Sequence, residues 1–186
     1  MTIEKGSEWG VVVDVHVGGV VASDDLAREI GVSTRKAEHS GPWRRLPLDT
    51  IVVLLTTKDG HIERHETAGW LVIGGRYRGE FCVVSSLSFV GGRRLFSRAH
   101  PNDGRLDWLS ITPTMPLRQR IGFWRRTRTE THLPHPLVRT GTGVGFQRQF
   151  ARPVRALFSD GTVIKRVVGV DVVTSPDSTH THIPAQ

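Results

Sequence analysis

Turn signals recur at short intervals along the sequence and separate short runs rich in β-branched residues. The turns are of the Asp-Gly or Gly-Gly type, which favours hairpins, and no long amphipathic helix lies between them. A doubly wound parallel sheet would need helices between its strands, so the pattern predicts a mainly β protein, an antiparallel β-sandwich with two short helices. The predicted strands are Val11–Val17, Val20–Val21, Ile51–Thr57, His61–Glu66, Trp70–Ile73, Phe81–Val90, Leu106–Thr112, Val154–Phe158 and Val163–Val173.

Two segments are typical of short helices. The first, Asp24–Ile30, follows Ser23, whose hydroxyl can accept a hydrogen bond from a first-turn N–H, and Gly31 ends it. The second, Pro116–Thr127, begins at a proline, which the first turn of a helix tolerates well. Its apolar residues recur at helical spacing and predict a buried face made of Leu117, Ile121 and Trp124.

The balance of charge is strongly basic, with 25 Lys and Arg against 18 Asp and Glu, a formal net charge of +7 and a pI near 10.7. Such a surface attracts nucleic acid, anionic lipid or phosphate-bearing substrates without choosing among them. In the segment Arg118–Arg128, arginines interleave with Phe123 and Trp124, which is typical of a helix that binds an anionic membrane or nucleic acid. A solvated helix face is the commoner outcome. The candidate anion-binding residues are Arg118, Arg120, Arg125 and Arg126.

Cysteine usage and hydropathy indicate the compartment. Cys82 is the single cysteine and lies in an apolar run, so we expect a buried thiol in a reducing environment. No apolar run approaches the roughly 20 residues of a membrane-spanning helix. Residues 1–10 lack the apolar region of a signal peptide. We therefore expect a cytoplasmic protein, with a peripheral position at the membrane if it binds lipid.

Two turns contain acidic side chains with chemical potential. The loop Ser97–Asp107 places Asp103 and Asp107 four residues apart, and oxygen ligands that converge in a short loop suit Mg²⁺. Without metal the same residues would form an Asx-type turn. Asp160, followed by Gly161, lies between two apolar runs. A hairpin turn is the simplest interpretation there, and a general base at a strand end is the functional one.

A glycine-rich segment and the histidines give weaker signals. Gly141–Gly145 is not followed by a helix start, as a phosphate-binding loop requires, and no Walker-type lysine accompanies it. His61 and His65 lie in a predicted strand, where residues four apart are separated by about 13 Å. No set of cysteines accompanies the histidine pairs, so we expect structural or exposed histidines.

Several segments, taken in order, resemble the diacylglycerol kinase-like lipid kinases. Ser23–Gly31 is similar to the family's Gly-Asn-Asp-(Leu/Phe)-Ala-Arg-x-Leu-Gly segment. Phe89–Gly92 and then Arg98–Asp107 resemble its glycine turn and its Ala-x-x-x-Asp-Gly-x-Leu-Asp loop. Thr131–Pro136 looks like the His-containing strand of actinobacterial-type members, and Asp160-Gly161 stands where the family has Asp-Gly-Glu.

The resemblance implies a fold and a division of the chain. The family has an α/β nucleotide-binding domain followed by a β-sandwich domain, and this chain resembles the C-terminal, β-sandwich part. Residues 1–31 would then be a remnant of the hinge strand and helix, residues 32–174 the lipid-kinase-like sandwich, and residues 175–186 a flexible tail.

The resemblance also implies roles for individual residues. Asp160 matches the aspartate that acts as a base toward the lipid hydroxyl. Asp103, together with the carbonyl of Leu106, matches a structural Mg²⁺ loop. Asp25, with Asp24 before it, matches the aspartate of the hinge helix near the nucleotide. The walls of the sandwich would form a cleft for the lipid.

The nucleotide-binding motif of the family, Gly-Gly-Asp-Gly-Thr, does not occur in the sequence, and Thr162 stands in place of the glutamate of Asp-Gly-Glu. Because phosphoryl transfer depends mainly on positioning and neutralising the phosphates, we expect no ATP-dependent lipid phosphorylation by this chain alone. A separate nucleotide-binding chain would have to hold the ATP. The alternatives are a non-enzymatic module that binds anionic membrane or nucleic acid through the arginine-rich helix, and a stable fold without present activity.

Overall fold

The structure is a computed structural model that describes residues 24–30 and 43–184. Mainly antiparallel β structure with two short helices confirms the predicted fold class. The predicted strands 11–17 and 20–21 and the Ser23 cap lie outside the described residues. The elements are α1 Asp24–Glu29, β1 Trp43–Thr57, β2 Ile62–Thr67, β3 Trp70–Gly74, β4 Phe81–Ser85, β5 Phe89–Val90, β6 Arg93–Arg94, β7 Leu106–Ile111, α2 Leu117–Arg126, β8 Val138–Gly143, β9 Gly145–Phe158 and β10 Val163–Pro184.

Eight of the strands form one antiparallel sheet in the order β2-β1-β10-β9-β3-β4-β7-β8, and β5 pairs with β6. β9 pairs with β10 through residues 145–149 and again through residues 154, 156 and 157, and its residues 156–158 also pair with β3 on the other side. The register of β10 against β9 shifts twice, and the ring of Phe158 on β9 lies 4.7 Å from that of His65 on β2. The β9–β10 hairpin therefore folds back toward β2, and the sheet encloses a core as the two layers of a sandwich do.

The enclosed face of the sheet is apolar. On β1, Ile51, Val53 and Leu55 are fully buried, whereas Leu54 between them is 39% exposed. This alternation is the period of a strand with one face in the core, and burial of the apolar face supplies the main driving force for folding. The same core contains Leu71, Ile73, Cys82, Val84, Leu106, Phe150, Ala156, Phe158, Val167, Val170 and Val172.

Helix α2 covers the opposite face of β4 and β7. Its buried residues are Arg120, Phe123 and Trp124, and the rings of Phe123 and Trp124 meet edge to face at 5.1 Å. The predicted buried face was wrong at two positions, because Leu117 is 55% and Ile121 38% exposed. The helix turns the stripe around positions 120, 123 and 124 toward the sheet, and that stripe can include an arginine because the guanidinium finds acceptors.

The guanidinium of Arg120 is fully buried among backbone carbonyls. It connects the start of α2 to the β3–β4 turn, and four of its five N–H donors are satisfied by neutral oxygens. The acceptors are the carbonyl oxygens of Met115 at 3.2 Å, Gly75 at 3.1 Å, Gly79 at 2.5 Å and Thr112 at 3.1 Å.

Three strand predictions need correction. The run Phe81–Val90 is divided into β4 and β5 by a turn at Ser86 to Ser88. The arginine- and glycine-rich segment 138–150 was not predicted as strand, yet it forms β8 and the first half of β9. Residues 175–184, predicted as a flexible tail, continue β10 and pair with β1 as far as Pro184. Pairing with a long neighbouring strand overrides weak local propensity in these segments.

Candidate functional site

The carboxylate of Asp25 is buried at the end of the sheet where β3 begins. Its Oδ2 accepts hydrogen bonds from the backbone N–H of Gly91 at 2.6 Å and the indole N–H of Trp70 at 2.8 Å. Its Oδ1 accepts from the N–H of Gly92 at 2.7 Å. Three donors fix the carboxylate, as buried charges require. Asp25 thus holds the Gly-Gly turn between β5 and β6.

The positions of the two glycines follow from backbone geometry. Gly91 and Gly92 have φ of 57° and 75°, a region that side chains other than glycine seldom occupy. Both of their N–H groups therefore point at one carboxylate. A second acid of α1, Glu29, accepts hydrogen bonds from the N–H and the hydroxyl of Ser88, each at 2.9 Å. Helix α1 is attached to the β4–β6 region by two acidic side chains four residues apart.

Asp160 lies in the turn between β9 and β10 and is exposed. Its Oδ1 accepts a hydrogen bond from the N–H of Thr162 at 2.8 Å, which is the geometry of a turn residue. The preceding residue, Ser159, donates its N–H to the carbonyl of Trp70 at 3.0 Å. A side chain at Gly69 would collide with the Ser159 hydroxyl, so this turn can approach β3 closely only because position 69 is glycine.

Asp103 is exposed in the loop between β6 and β7, where its Oδ1 accepts from the N–H of Arg105 at 3.0 Å. The loop is held from beneath by Asp49, which is 1% exposed. The carboxylate of Asp49 accepts from the N–H of Gly104 at 2.6 Å and from that of Asp177 at 2.9 Å. Asp49 was not predicted as a structural residue, although a lone aspartate within an apolar strand was a usable signal.

Asp107, at the start of β7, shares a small acidic surface with Asp103. Burial raises the pKa of the Asp107 carboxyl, the hydrogen bond from the hydroxyl of Thr142 lowers it, and the negative charge of Asp103 raises it again. Among the described residues no group of three or more acidic, histidine or cysteine side chains could hold a metal ion. A cation here would therefore need backbone carbonyls or water to complete its coordination.

The three segments that carry Asp25, Asp103 and Asp160 all adjoin one small apolar cluster. Leu26 of the cluster follows Asp25. The loop of Asp103 is hydrogen-bonded to Asp49, which follows Leu48 of the cluster, and the turn of Asp160 packs against Gly69, which follows Ala68 of the cluster. Within the described chain, no hydrogen bond or ion pair joins the three predicted acids to one another. The fourth acid, Asp24, opens α1, but its side chain lies outside the described part of the chain. The cluster consists of Leu26, Leu48, Ala68 and Leu87, with Ile30 packed against it.

An apolar trough begins beside Asp25 and runs along the outer face of β9, β3 and β4. Its volume is about 280 Å³. Trp70 and Gly91, two of the three partners of Asp25, lie at its margin, and α2 forms one wall. The lining combines a mainly apolar floor with three arginines, and it consists of Trp70, Val72, Gly74, Arg76, Phe81, Val83, Val90, Gly91, Arg93, Leu95, Trp124, Arg155 and Leu157.

A second cavity, which we call the turn cavity, adjoins the trough at Gly91 and Arg93 and has a volume of about 360 Å³. Burial lowers the pKa of Arg93, and the positive charges of Arg76 and Arg128 lower it further, whereas Tyr77 raises it. Arginines thus gather where the two cavities meet. The turn cavity is lined by Phe89, Gly91, Gly92, Arg93, Arg94, Thr127, Arg128 and Glu130.

The predicted arginines of α2 divide into two groups. Arg118, Arg125 and Arg126 are exposed and are free to meet an anion from solvent. Arg120 is not, because its guanidinium is enclosed by four carbonyls, and its assignment as an anion-binding residue was wrong. The arginines of the trough were missed, since they come from the β3–β4 turn, from β6 and from β9, which are far apart in the sequence.

The glycine-rich segment Gly141–Gly145 belongs to β8 and β9 and to the turn between them. A phosphate-binding loop joins a strand to a helix, so that the helix N-terminus faces the phosphate. No helix follows Gly145, which excludes that role for this segment. Gly141 has a structural reason to be glycine, because a side chain there would collide with the indole of Trp108.

The chain is similar in structure to solved proteins with which it shares little sequence identity. No protein-family model matches the sequence, and no curated protein matches it. A diacylglycerol kinase from Bacillus anthracis str. Sterne aligns with 87% of this chain and 64% of its own, at 10% identity and a TM-score of 0.48.

Two further solved structures from the same organism are provisionally described as diacylglycerol kinases. One aligns over 73% of this chain and 40% of its own, the other over 70% and 38%. Both have 12% identity and a TM-score of 0.42. The chain spans less than two thirds of the length of each of the three structures, so their activities, substrates and partners are matters for proposal.

Proposed function

We propose that this chain is the lipid-binding β-domain of a diacylglycerol kinase-like enzyme. It holds a lipid in the trough and takes part in ATP-dependent phosphorylation of the lipid hydroxyl when a separate nucleotide-binding chain supplies the ATP. Alone it is inactive. The proposal is supported by the order of the family-like segments in the sequence and by the geometry around the trough.

The single observation that carries the proposal is an apolar path that leads to acidic side chains. Val72, Val83 and Leu157 supply a floor suited to an acyl chain, because ligand sites are mainly apolar with a few polar groups that fix orientation. Asp160 lies three residues beyond Leu157, in the turn that follows β9. In the proposed complex the lipid hydroxyl extends beyond the trough to the exposed carboxylate of Asp160, since a general base must be within hydrogen-bond distance of the proton it accepts.

The residues for holding ATP do not fit this chain by itself. Both N–H groups of the Gly91-Gly92 turn are used by Asp25, and the glycine-rich segment near residue 143 is strand. When ATP is bound by the partner chain, it supplies the phosphoryl group. The residues of this chain would then bind the lipid, orient its hydroxyl and accept its proton at the carboxylate of Asp160.

Lipid binding can be tested by titrating the chain with dioctanoylglycerol and following tryptophan fluorescence, to which Trp70 and Trp124 in the trough contribute. We expect saturable binding that is lost in Leu157→Gln. Val173→Gln is a matched control, because Val173 is 47% exposed and outside the trough. Equal binding by both variants, or no binding by the wild type, would contradict the assignment of the trough.

Catalysis can be tested by adding a nucleotide-binding domain that contains the Gly-Gly-Asp-Gly-Thr motif. We expect no phosphorylation of diacylglycerol by the chain alone, and phosphorylation by the mixture. Asp160→Asn should lower the rate of the mixture by roughly 10²–10⁴-fold, the usual contribution of a general base. Asp59→Asn, at the Asp-Gly turn between β1 and β2, should leave it unchanged. Steady turnover by the chain alone would overturn the two-chain arrangement.

The proposal includes a structural Mg²⁺ at the loop of Asp103, with the carbonyl of Leu106 as a further ligand. The two carboxylates Asp103 and Asp107 fit the hard-cation chemistry of Mg²⁺. The pKa of Asp107 is raised mainly by burial and to a smaller extent by the charge of Asp103, and a cation would offset both effects. Mg²⁺ would supply charge neutralisation there and would tie the loop to β7.

A second function, binding to an anionic membrane without catalysis, is favoured by the outer face of α2. Leu117 and Ile121 are exposed on the same side of the helix as Arg118 and Arg125. Apolar side chains with flanking arginines are typical of a helix that lies in a membrane interface. A nucleic-acid surface has no need of exposed aliphatic side chains, so we favour the membrane. The described residues contain no helix that is long and apolar enough to cross a membrane.

Vesicle co-sedimentation distinguishes these surfaces. We expect the chain to bind phosphatidylglycerol vesicles more tightly than phosphatidylcholine vesicles, and the double variant Leu117→Ser/Ile121→Ser to bind at least tenfold more weakly. Ile62→Ser is a control, because Ile62 is 68% exposed on β2. Undiminished vesicle binding by the double variant would contradict the proposal. Salt-sensitive binding of duplex DNA in place of vesicles would favour a nucleic-acid module.

A further inference from the structure

We propose that the junction between the trough and the turn cavity binds a phosphate group, held by Arg76, Arg93 and Arg128. The trough then takes the apolar chain attached to that phosphate. The inference rests on the proposed function only in assigning lipid to the trough. It adds that the trough binds a phosphate-bearing amphiphile more tightly than a neutral diacylglycerol, and it names the residues that recognise the charge.

Arg93 is held in place from one side only. Its Nη1 donates to the carbonyl of Trp124 at 2.8 Å and to the hydroxyl of Thr127 at 2.9 Å. These two bonds fix the guanidinium between β6 and the end of α2. Within the described chain, Nη2 of Arg93 donates to no acceptor, and the side chain lines both cavities. A positioned guanidinium with a free edge at a cavity is suited to a tetrahedral anion.

Arg76 is fixed from the other side of the same tryptophan. Its guanidinium carbon lies 4.5 Å from the ring centroid of Trp124, and the indole N–H of Trp124 donates to the carbonyl of Arg76 at 3.0 Å. A cation stacked on an aromatic face is positioned without using its N–H donors. Those donors stay available for a ligand at the arginine-lined part of the trough.

Arg128 adds a third positive charge, at the wall of the turn cavity. None of the three arginines has a carboxylate within 4.0 Å among the described residues. The one acid that lines the turn cavity, Glu130, pairs with Arg94 at 3.4 Å. Three like charges near one another, with no internal counterion, favour an external anion.

The chemistry of the arginines favours phosphate over carboxylate. The guanidinium presents a planar fork that matches two oxygens of a phosphate. A phosphate monoester carries about −1.5 to −2 charge near neutral pH and has three terminal oxygens, enough for three arginines. A carboxylate carries one negative charge and would leave most of the positive charge unbalanced.

The experiment compares three ligands by isothermal titration calorimetry at low salt. They are dihexanoyl phosphatidic acid, which has both parts, dihexanoylglycerol, which lacks the phosphate, and inorganic phosphate, which lacks the chains. We expect dihexanoyl phosphatidic acid to bind at least tenfold more tightly than either of the others. Arg93→Gln, Arg76→Gln and Arg128→Gln should each weaken it by about 10-fold or more, since each variant loses a charge-assisted hydrogen bond to the phosphate.

Two controls protect the experiment against trivial failure. Arg139→Gln removes an exposed arginine of β8 that lines neither cavity, and it should leave the affinity unchanged. Arg93→Gln could lower stability through its bonds to α2, whereas Arg76 and Arg128 are exposed. Their variants, checked by thermal unfolding, keep the result interpretable.

The outcomes separate this inference from the proposed function. Equal affinity for dihexanoylglycerol and dihexanoyl phosphatidic acid, with no loss in the three variants, would overturn the phosphate site and leave lipid binding in place. Arginine-dependent binding of inorganic phosphate as tight as that of the lipid would support the phosphate site and refute the lipid role of the trough. Absence of phosphate-dependent binding by any ligand would overturn the inference.

Discussion

The acids around α1 and the arginines of the trough differ in how their charges are balanced. Asp25, Glu29 and Asp49 each accept hydrogen bonds from backbone N–H groups, so their charge is satisfied within the fold. Arg76 and Arg93 have no carboxylate partner in the described chain. The acids therefore hold turns in place, and the proposed binding of a charged ligand depends on the arginines.

Arg120 is an arginine whose charge, like that of these acids, is satisfied by hydrogen bonds within the fold. Its donors are used by four carbonyls, while Arg118, two residues earlier on α2, is exposed. Residue type alone does not tell a structural arginine from a binding one. What separates them is whether the fold provides acceptors.

The largest expected effect is at Arg120. Arg120→Ala should lower the free energy of unfolding by about 3–5 kcal/mol, the usual cost of disrupting a buried charged group and its partners, since four carbonyls lose their donor. Arg118→Ala should change it by less than about 0.5 kcal/mol, as surface substitutions do. Urea unfolding followed by fluorescence measures both. Similar losses in the two variants would show that burial of the guanidinium contributes nothing.

Asp25→Ala should cost about 3 kcal/mol, because two buried N–H groups and an indole N–H lose their acceptor. Asp25→Asn should lose less, since its amide oxygen can still accept. Asp160→Ala is the matched exposed aspartate and should cost under about 1 kcal/mol. If Asp160→Ala were as costly as Asp25→Ala, the division between structural and exposed acids would be wrong.

The basic side of the molecule also predicts a response to pH. Burial lowers the pKa of His132, the hydrogen bond to the Leu95 carbonyl and the charge of Glu130 raise it, and Arg126 lowers it. The net direction is down, so the folded state favours the neutral ring. The stability that the neutral His132 contributes is fully present above the ordinary pKa near 6.5, and it is lost as the pH falls through the lowered pKa of the folded state.

Burial and the positive charge of Arg126 also lower the pKa of His135. We therefore expect the melting temperature to fall by a few degrees between pH 7.5 and pH 5. In His132→Gln, whose side chain keeps a donor, the fall should be smaller, although not abolished. An unchanged pH dependence in this variant would exclude His132 as the titrating group.

The smallest effect concerns the acidic surface of Asp103 and Asp107. Asp103→Ala should lower the melting temperature by a few degrees in millimolar Mg²⁺, because the variant loses a ligand of the ion. In chelator the decrease should be much smaller, because only the hydrogen bond from the N–H of Arg105 is lost. Asp171→Ala serves as the control. Asp171 is a half-buried aspartate of β10 whose carboxylate accepts a hydrogen bond from the side chain of Gln147. Equal losses with and without Mg²⁺ would mean that the loop is only a turn.

Much of the fold was predictable because it follows from local chemistry. The Asp-Gly turns at Asp59 and Asp160 connect the hairpins as predicted, since few residues other than glycine accept the backbone conformation they need. The helix predicted over Pro116–Thr127 is observed as Leu117–Arg126 with Pro116 as its N-cap. The apolar run Ile51–Thr57 was predicted as a strand and forms the C-terminal half of β1.

The rest depended on contacts between distant segments. The burial of Arg120 required carbonyls from the β3–β4 turn, more than forty residues away in sequence. The role of Asp25 required the turn at Gly91, 66 residues later. Residues 138–150 became strand through pairing with neighbours that local propensity does not reveal.

By itself, the sequence determined the strand-rich architecture, the turns and the excess of positive charge, because these depend on side-chain type and on nearest neighbours along the chain. Only the tertiary structure decided which charges are used up inside the fold. A charge is neutralised by whatever donor or acceptor the folded chain brings within about 3 Å, and that distance is set by packing between segments that the sequence keeps far apart.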